Sequence, residues 1–298
     1  MKYLPNHSIF FLHIPKCGGM SLHKALDLKD ADYTLLASDL GISESDAALY
    51  ALSERYGPDT RGLTRNGFDH ATLGRVHPVH LTTKHIHDFL PATWQALENS
   101  AHSFALLRNP RDRFISALMQ RMKEFGDAGA IRADDKSVVA EAKHVCDWLG
   151  ARTEFSDIEY VHFTRQSDYV ELDGRQVVKM ILPLKNTNAL VTWLREATGL
   201  EIEIPHTHAR RQPKKWAKSV QPVARGLART LLPRPLKKAL HPLWMNSGIF
   251  SDSAKAYGAT DLGPEVETFI KSYYARDAVL LAKAQENAAT FAQQAEAN

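Results

Sequence analysis

The chain has 298 residues, 44% of them hydrophobic and 24% charged, with a formal net charge of +3. That composition supports a sizeable buried core and excludes a disordered polyelectrolyte, while two cysteines, Cys17 and Cys146, cannot form a disulfide framework and fit a reducing compartment. No stretch approaches the roughly 18–20 apolar residues of a membrane span, and Met1 stands only a few residues before the first apolar run, so a soluble, cytoplasmic protein is expected.

Residues 9–12 form that run and predict a buried strand over 8–13, followed by a helix near 21–28. Between them lies His13-Ile14-Pro15-Lys16-Cys17-Gly18-Gly19-Met20-Ser21-Leu22. A strand-to-helix turn aims several backbone N–H groups at one point, where the helix dipole favours an anion. Gly18 and Gly19 let the backbone curl and approach closely, Lys16 adds a full charge and Ser21 a hydroxyl. The segment reads as a cradle for a phosphate-like group, or else as a tight turn with a solvated lysine. The lysine precedes the glycines, so the order G-x-x-x-x-G-K-[ST] of nucleoside-triphosphate loops is not met.

Residues 38–75 are polar and glycine-bearing and resemble a variable insertion. The histidines His70, His77, His80, His85 and His87 follow, then a helical pattern near 88–99. Residues 103–107 are a second strand, running into Arg108-Asn109-Pro110-Arg111-Asp112-Arg113-Phe114-Ile115-Ser116 and a helix over 110–125 opened by Pro110. Arg108 stands at the C-terminal end of its strand, where open parallel sheets place their ligand crevice. Ser116, two turns into the helix, is expected to look back at Arg108, giving a second anion site. Helices at 137–150 and 187–198 and a strand at 177–182 complete an α/β alternation with a central, mostly parallel sheet flanked by helices. The Ala- and Gln-rich end, 286–298, reads as a fraying helical tail.

The two motifs together resemble the PAPS-dependent sulfotransferase superfamily, and within it the carbohydrate branch (sulfotransferase family 2) that includes heparan-sulfate 2-O-sulfotransferase and many bacterial members. The first loop there has the form H-I-P-K-[TC]-G-G-[TS]-[ST]-L and the second segment L-R-[DN]-P-x-x-R-[FY]-x-S. Weaker echoes are Phe163-Thr164-Arg165-Gln166-Ser167-Asp168-Tyr169, the run 177–182 and Tyr273-Tyr274-Ala275-Arg276-Asp277. The resemblance spans about 8–200 and 265–285. It implies a P-loop-like three-layer fold in one domain over 1–298, with insertions at about 38–75 and 205–250, and a bacterial, cytoplasmic relative of membrane-anchored eukaryotic enzymes.

It also implies roles. Pro15, Lys16, Cys17, Gly18, Gly19, Met20, Ser21 and Leu22 would hold the 5′-phosphosulfate of PAPS (3′-phosphoadenosine 5′-phosphosulfate), and Arg108 with Ser116 the 3′-phosphate. Lys16 would neutralise the bridging oxygen as 3′,5′-ADP departs. The family's base is a histidine in a G-H or H-x-H context between the two motifs, which within Gly74-Arg75-Val76-His77-Pro78-Val79-His80-Leu81 favours His80, with His77 second. Packing or surface roles remain the alternative for each, and His206 and His208 could line the acceptor site. Met20 replaces a small hydroxyl residue and Cys17 a threonine, which puts a free thiol beside the cofactor. No metal is implied, since a zinc site here lacks cysteine ligands or a helical H-E-x-x-H.

Between residues 210 and 238 ten basic residues meet no acid: Arg210, Arg211, Lys214, Lys215, Lys218, Arg225, Arg229, Arg234, Lys237 and Lys238. Taking these from 37 leaves 27 bases against 34 acids, about −7 for the remainder. Three readings compete: a solvated excursion, a docking surface for an anionic polysaccharide, and a peripheral contact with an anionic membrane. Nucleic-acid binding has no recognisable module behind it. A sulfotransferase acting on a carbohydrate hydroxyl is therefore expected. The alternatives are a phosphate-loop nucleotide kinase and a non-catalytic nucleotide- or polysaccharide-binding relative, the latter kept open by Met20.

Overall fold

A computed structural model describes residues 1–26, 31–45, 47, 68–125, 136–154, 157–204, 211–213, 250–252 and 260–297. A four-stranded sheet has the order β1 (Lys2–Leu4), β2 (Ile9–Phe11), β5 (His102–Leu107), β8 (Met180–Pro183). The last three are parallel, with Phe10 opposite Ser103 and Ala105 opposite Ile181. Apolar runs rather than alternation mark these strands because both faces are covered: Ile9, Phe10 and Phe11 are all buried, as are Phe104 to Leu107. No sequence pattern marks β1. It is a three-residue antiparallel edge, folded back through a turn at Pro5–His7 with Ser8 in the left-handed region at φ 50°. Three residues carry too little pattern to be read as a strand.

In chain order the helices and short hairpins between these strands are α1 (Gly19–Ala25), α2 (Thr34–Leu40), the hairpin β3 (Phe68–His70) and β4 (Gly74–Val76), α3 (Thr83–Phe89) and α4 (Pro91–Asn99). The single helix expected near 88–99 is two. Thr82 caps α3, and Leu90 leaves the helical region at φ −128°. Pro91 cannot donate to a carbonyl in the preceding turn but suits the first position of a new helix. After β5 come α5 (Pro110–Glu124), whose Asn109 cap accepts the Asp112 N–H at 3.2 Å, and α6 (Lys136–Gly150). A short helix α7 (Ser167–Val170) leads to the two-residue ladder of β6 (Glu171–Leu172) and β7 (Arg175–Gln176) and then β8. Helix α8 (Thr187–Thr198) follows, with Gly199 closing it at φ 69°.

Only fragments of the two expected insertions are described. Helix α2 and the β3–β4 hairpin flank the first, whose residues 46 and 48–67 lie outside the described residues. Of the second, β9 (Arg211–Pro213) and β10 (Phe250–Asp252) form an antiparallel ladder. The basic stretch 214–238, and His206 and His208, lie outside the described residues.

The chain ends in α9 (Pro264–Tyr273) and α10 (Ala275–Ala297). α5, α6 and α9 share a core of Phe114, Leu118, Val145, Leu149, Val266 and Ile270. The start of the Ala- and Gln-rich segment, residues 286–291, is helical and packed rather than frayed. Leu280, Ala284 and Ala288 are buried against the sheet core, and Asn287 Nδ2 donates to the Ile181 carbonyl at 3.0 Å. Alanines spaced four apart give that helix a flat face that can approach β8 closely, so composition concealed a packed element. Among the described residues, no helix is long and apolar enough to cross a membrane.

Candidate active site

Because β2, β5 and β8 run parallel, their C-terminal ends lie on one edge of the sheet and hand over to three neighbouring loops. The ladder continues past the strands: Leu12 N–H donates to the Phe104 carbonyl at 2.9 Å and Leu184 N–H to the Leu107 carbonyl at 2.7 Å. This is the edge where α/β sheets hold ligands.

Residues 12–18 turn sharply there. Cys17 N–H closes a turn on the Ile14 carbonyl at 3.2 Å, with Lys16 at φ 67° and Gly18 at φ 78°. A left-handed lysine costs free energy that surrounding contacts must offset. Two arginines supply them. Arg113 Nε donates to the Pro15 carbonyl at 3.1 Å, and Arg108 Nη1 to the Lys16 carbonyl at 3.2 Å. The glycines are required by the packing around them. A Cβ on Gly18 would run into the Leu184 side chain, and one on Gly19 would overlap the His13 ring. Gly19 opens α1, so the Gly19, Met20 and Ser21 amides head the helix, where no intrahelical carbonyl can reach them. Ser21 is half-buried and Leu22 is in the core.

Arg108 leaves β5 beside this loop. Its main chain is clamped by the buried Gln166 amide: Arg108 N–H donates to Oε1 at 2.8 Å, and Nε2 donates to the Arg108 carbonyl at 2.9 Å. Cys17 Sγ donates to the same Oε1 at 3.3 Å. One side chain thus joins both loops. The Cys17 thiol beside the cradle is buried, and burial pushes its pKa up to about 11, so it stays protonated near neutral pH. Lys16 Nζ lies 3.5 Å from Gln120 Oε1 on α5. Ser116 is buried on α5.

Beside Lys16 the rings of four histidines meet. His77 and His80, on the turn at Pro78–His80, stack at 4.3 Å; His80 stands 5.3 Å from His13 and 5.1 Å from His162. His23 lies behind, 5.2 Å from His13. Burial pushes all five imidazoles down, His77 to about 4 and the others well below the usual range. Lys16 adds to the depression at His13 and His162. The rings are neutral, and Nδ1 of His13, His77 and His80 is buried with no hydrogen-bond partner. His77, His80, His85, Thr82 and Thr164 line a gap beside them that is too tight to admit a water molecule. Tyr169 Oη donates to the His80 carbonyl at 3.0 Å, fixing that turn.

His70 and His87 are engaged elsewhere. His70 Nδ1 accepts the Thr72 and Leu73 N–H groups of the β3–β4 hairpin, and His87 Nδ1 pairs with Asp88 at 2.7 Å. Among the described residues, no group of three His, Cys, Asp or Glu could hold a metal ion. His162, Arg113 and Gln166 were not assigned from sequence. Arg113 and Gln166 lie inside segments that carried the resemblance, so a signal was present; His162 had none.

The sequence profile of the sulfotransferase family matches residues 1–171, more than half of the chain, and takes in both loops and all five clustered histidines. The chain belongs to the sulfotransferase family. Comparison with curated proteins and with solved structures finds no match. For this sulfotransferase, the matched segment ends within β6, so β8 and helices α8 to α10 lie outside it.

Proposed function

We propose that the protein transfers the sulfuryl group of PAPS to a hydroxyl of a carbohydrate acceptor by in-line displacement. Family membership supports the sulfotransferase reaction. One observation carries the donor assignment: the Lys16 loop and Arg108 leave adjacent parallel strands and touch, through Arg108 Nη1 and the Lys16 carbonyl at 3.2 Å. Two cationic anchors side by side suit a donor with two separated phosphate groups better than a single-phosphate ligand. The residues fit such a donor. The cradle has no Cβ at Gly18 and Gly19, and the helix-heading amides face away from any intrahelical acceptor.

PAPS, when bound, supplies an activated sulfuryl group. Lys16, the amides of Gly18, Gly19 and Met20, and the Ser21 hydroxyl would hold its 5′ side, and Arg108 with Ser116 its 3′-phosphate. Lys16 neutralises the charge that builds on the bridging oxygen, an electrostatic contribution of the kind that dominates transfers with little covalent participation by the protein. His80, with His77 stacked on it, takes the acceptor proton. Both imidazoles are neutral at physiological pH, as a base requires, and the positive charge His80 gains is offset by negative charge developing beside Lys16. An anionic carbohydrate would suit the basic stretch 210–238, and a peripheral membrane contact through the same stretch is the competing role.

Incubation with ³⁵S-labelled PAPS and a glycan panel, followed by mass spectrometry, tests the reading. Transfer of one sulfuryl group to a sugar hydroxyl, lost in Lys16→Ala, is the expected result. Label transfer to no carbohydrate, with thermal stabilisation by ATP·Mg but not by 3′,5′-ADP, would replace the assignment with a nucleotide kinase. Stabilisation by 3′,5′-ADP without any transfer would mark a non-catalytic relative.

A further inference from the structure

The family match stops at residue 171, yet the contacts that hold the two anion loops together do not. Asp277, in the first turn of α10, is fully buried and accepts three hydrogen bonds from Gln166 and Ser167, where α7 begins. Its Oδ2 takes the Gln166 N–H at 2.8 Å and Gln166 Nε2 at 3.3 Å, and its Oδ1 takes the Ser167 N–H at 2.9 Å. Gln166 in turn grips the Arg108 main chain and the Cys17 thiol. The buried Arg113 guanidinium lies within electrostatic reach of the same carboxylate while it donates to the carbonyls of Pro15 at 3.1 Å and Thr164 at 2.5 Å. A cation that deep needs a nearby anion.

We propose that Asp277 is a positioning residue for the donor site, fixing Arg108 and the Lys16 loop through Gln166. Through that one amide the carboxylate sets the main chain from which the Arg108 side chain springs and holds Cys17, the neighbour of the left-handed Lys16. An asparagine cannot replace it. Whichever way the amide is turned, its NH₂ faces at least one of the Gln166 and Ser167 donors, and the charge opposite Arg113 is lost. Asp277 touches no reacting atom, so its effect appears in donor affinity before it appears in turnover.

The inference rests on the donor assignment above, and the experiment separates the two. Calorimetry with 3′,5′-ADP is run on the wild type, Asp277→Asn, Gln166→Met and the double variant. Ala284→Gly, two turns further along α10, is the control for general loosening of that helix. Amide hydrogen exchange at Arg108 is measured on the same proteins without ligand. The expected results are at least about ten-fold weaker binding in each tie variant, a double variant little worse than either single, and near-wild-type affinity in Ala284→Gly. Exchange at Arg108 should accelerate in the tie variants alone, and with labelled PAPS the donor KM should rise more than kcat falls. Wild-type affinity in Asp277→Asn, or equal weakening in Ala284→Gly, would overturn the proposal. A wild type that does not bind 3′,5′-ADP defeats the donor assignment instead, and unchanged Arg108 exchange in Asp277→Asn then still overturns the positioning role.

Discussion

Acidification should destabilise this protein well above the pH at which carboxylates protonate. His23, His77 and His162 are between 4% and 6% exposed, and burial lowers all three imidazoles, His77 to about 4. A folded pKa below the unfolded one means the unfolded chain binds protons the native state refuses. The stability these groups contribute is therefore fully present above the ordinary imidazole value of 6.5 and is lost as pH falls towards the folded values. Between pH 6.5 and 5.5 each such histidine should cost about 1 kcal/mol, so the three together cost about 3 kcal/mol. That is a large part of a typical stability of about 5–15 kcal/mol. Half-buried His13 and His80 act in the same direction. Asp168 and Asp277 act in the opposite sense, since burial raises both carboxyls, and they come into play as the pH approaches the carboxylate range. Urea denaturation at pH 7.5, 6.5 and 5.5 measures the effect, and His77→Gln should recover about a third of the loss. Identical unfolding free energies at the three values would show that the rings are hydrated and would refute the buried cluster.

Gly19→Ala should weaken 3′,5′-ADP at least about ten-fold, because the new methyl overlaps the His13 ring and the cradle must open to admit it; unchanged calorimetric affinity would contradict the packing. His80→Ala should lower kcat by about 10²-fold or more while leaving 3′,5′-ADP affinity within about two-fold, and full turnover would move the base to His77 or His162. Asn186→Ala removes the cap that accepts the Ala189 N–H at 3.3 Å. It should cost about 1 kcal/mol in urea unfolding with no change in donor binding, and a change in binding would show α8 coupled to the site.

The parallel core and the two loops at its C-terminal edge were legible because each depends on a short, steeply patterned segment: an apolar run entering a turn rich in glycine or cations. Helices 110–124, 136–150 and 187–198 followed from long periodic stretches. The edge strand 2–4, the break at Leu90 and the packed face of α10 were less legible. The first is too short to pattern, the second depends on one proline inside a helical stretch, and the third is built from alanines that resemble a low-complexity tail. At the site, Lys16, Arg108, His77 and His80 stand near one another. The residues that tie the loops together, Arg113, Gln166 and Asp277, act through main-chain groups far away in sequence. A pairing that joins Gln166 to Asp277 across 111 positions leaves no local pattern to read. His162 enters the cluster for the same reason, through a turn whose placement only the tertiary fold decides.

Calorimetric titration of 3′,5′-ADP into the wild type, Lys16→Ala and Arg108→Ala tests the central claim most directly, that both cations grip one doubly phosphorylated nucleotide. Saturable one-to-one binding by the wild type, weakened at least about ten-fold by each substitution, is the predicted result. Binding of wild-type strength in both variants would contradict it.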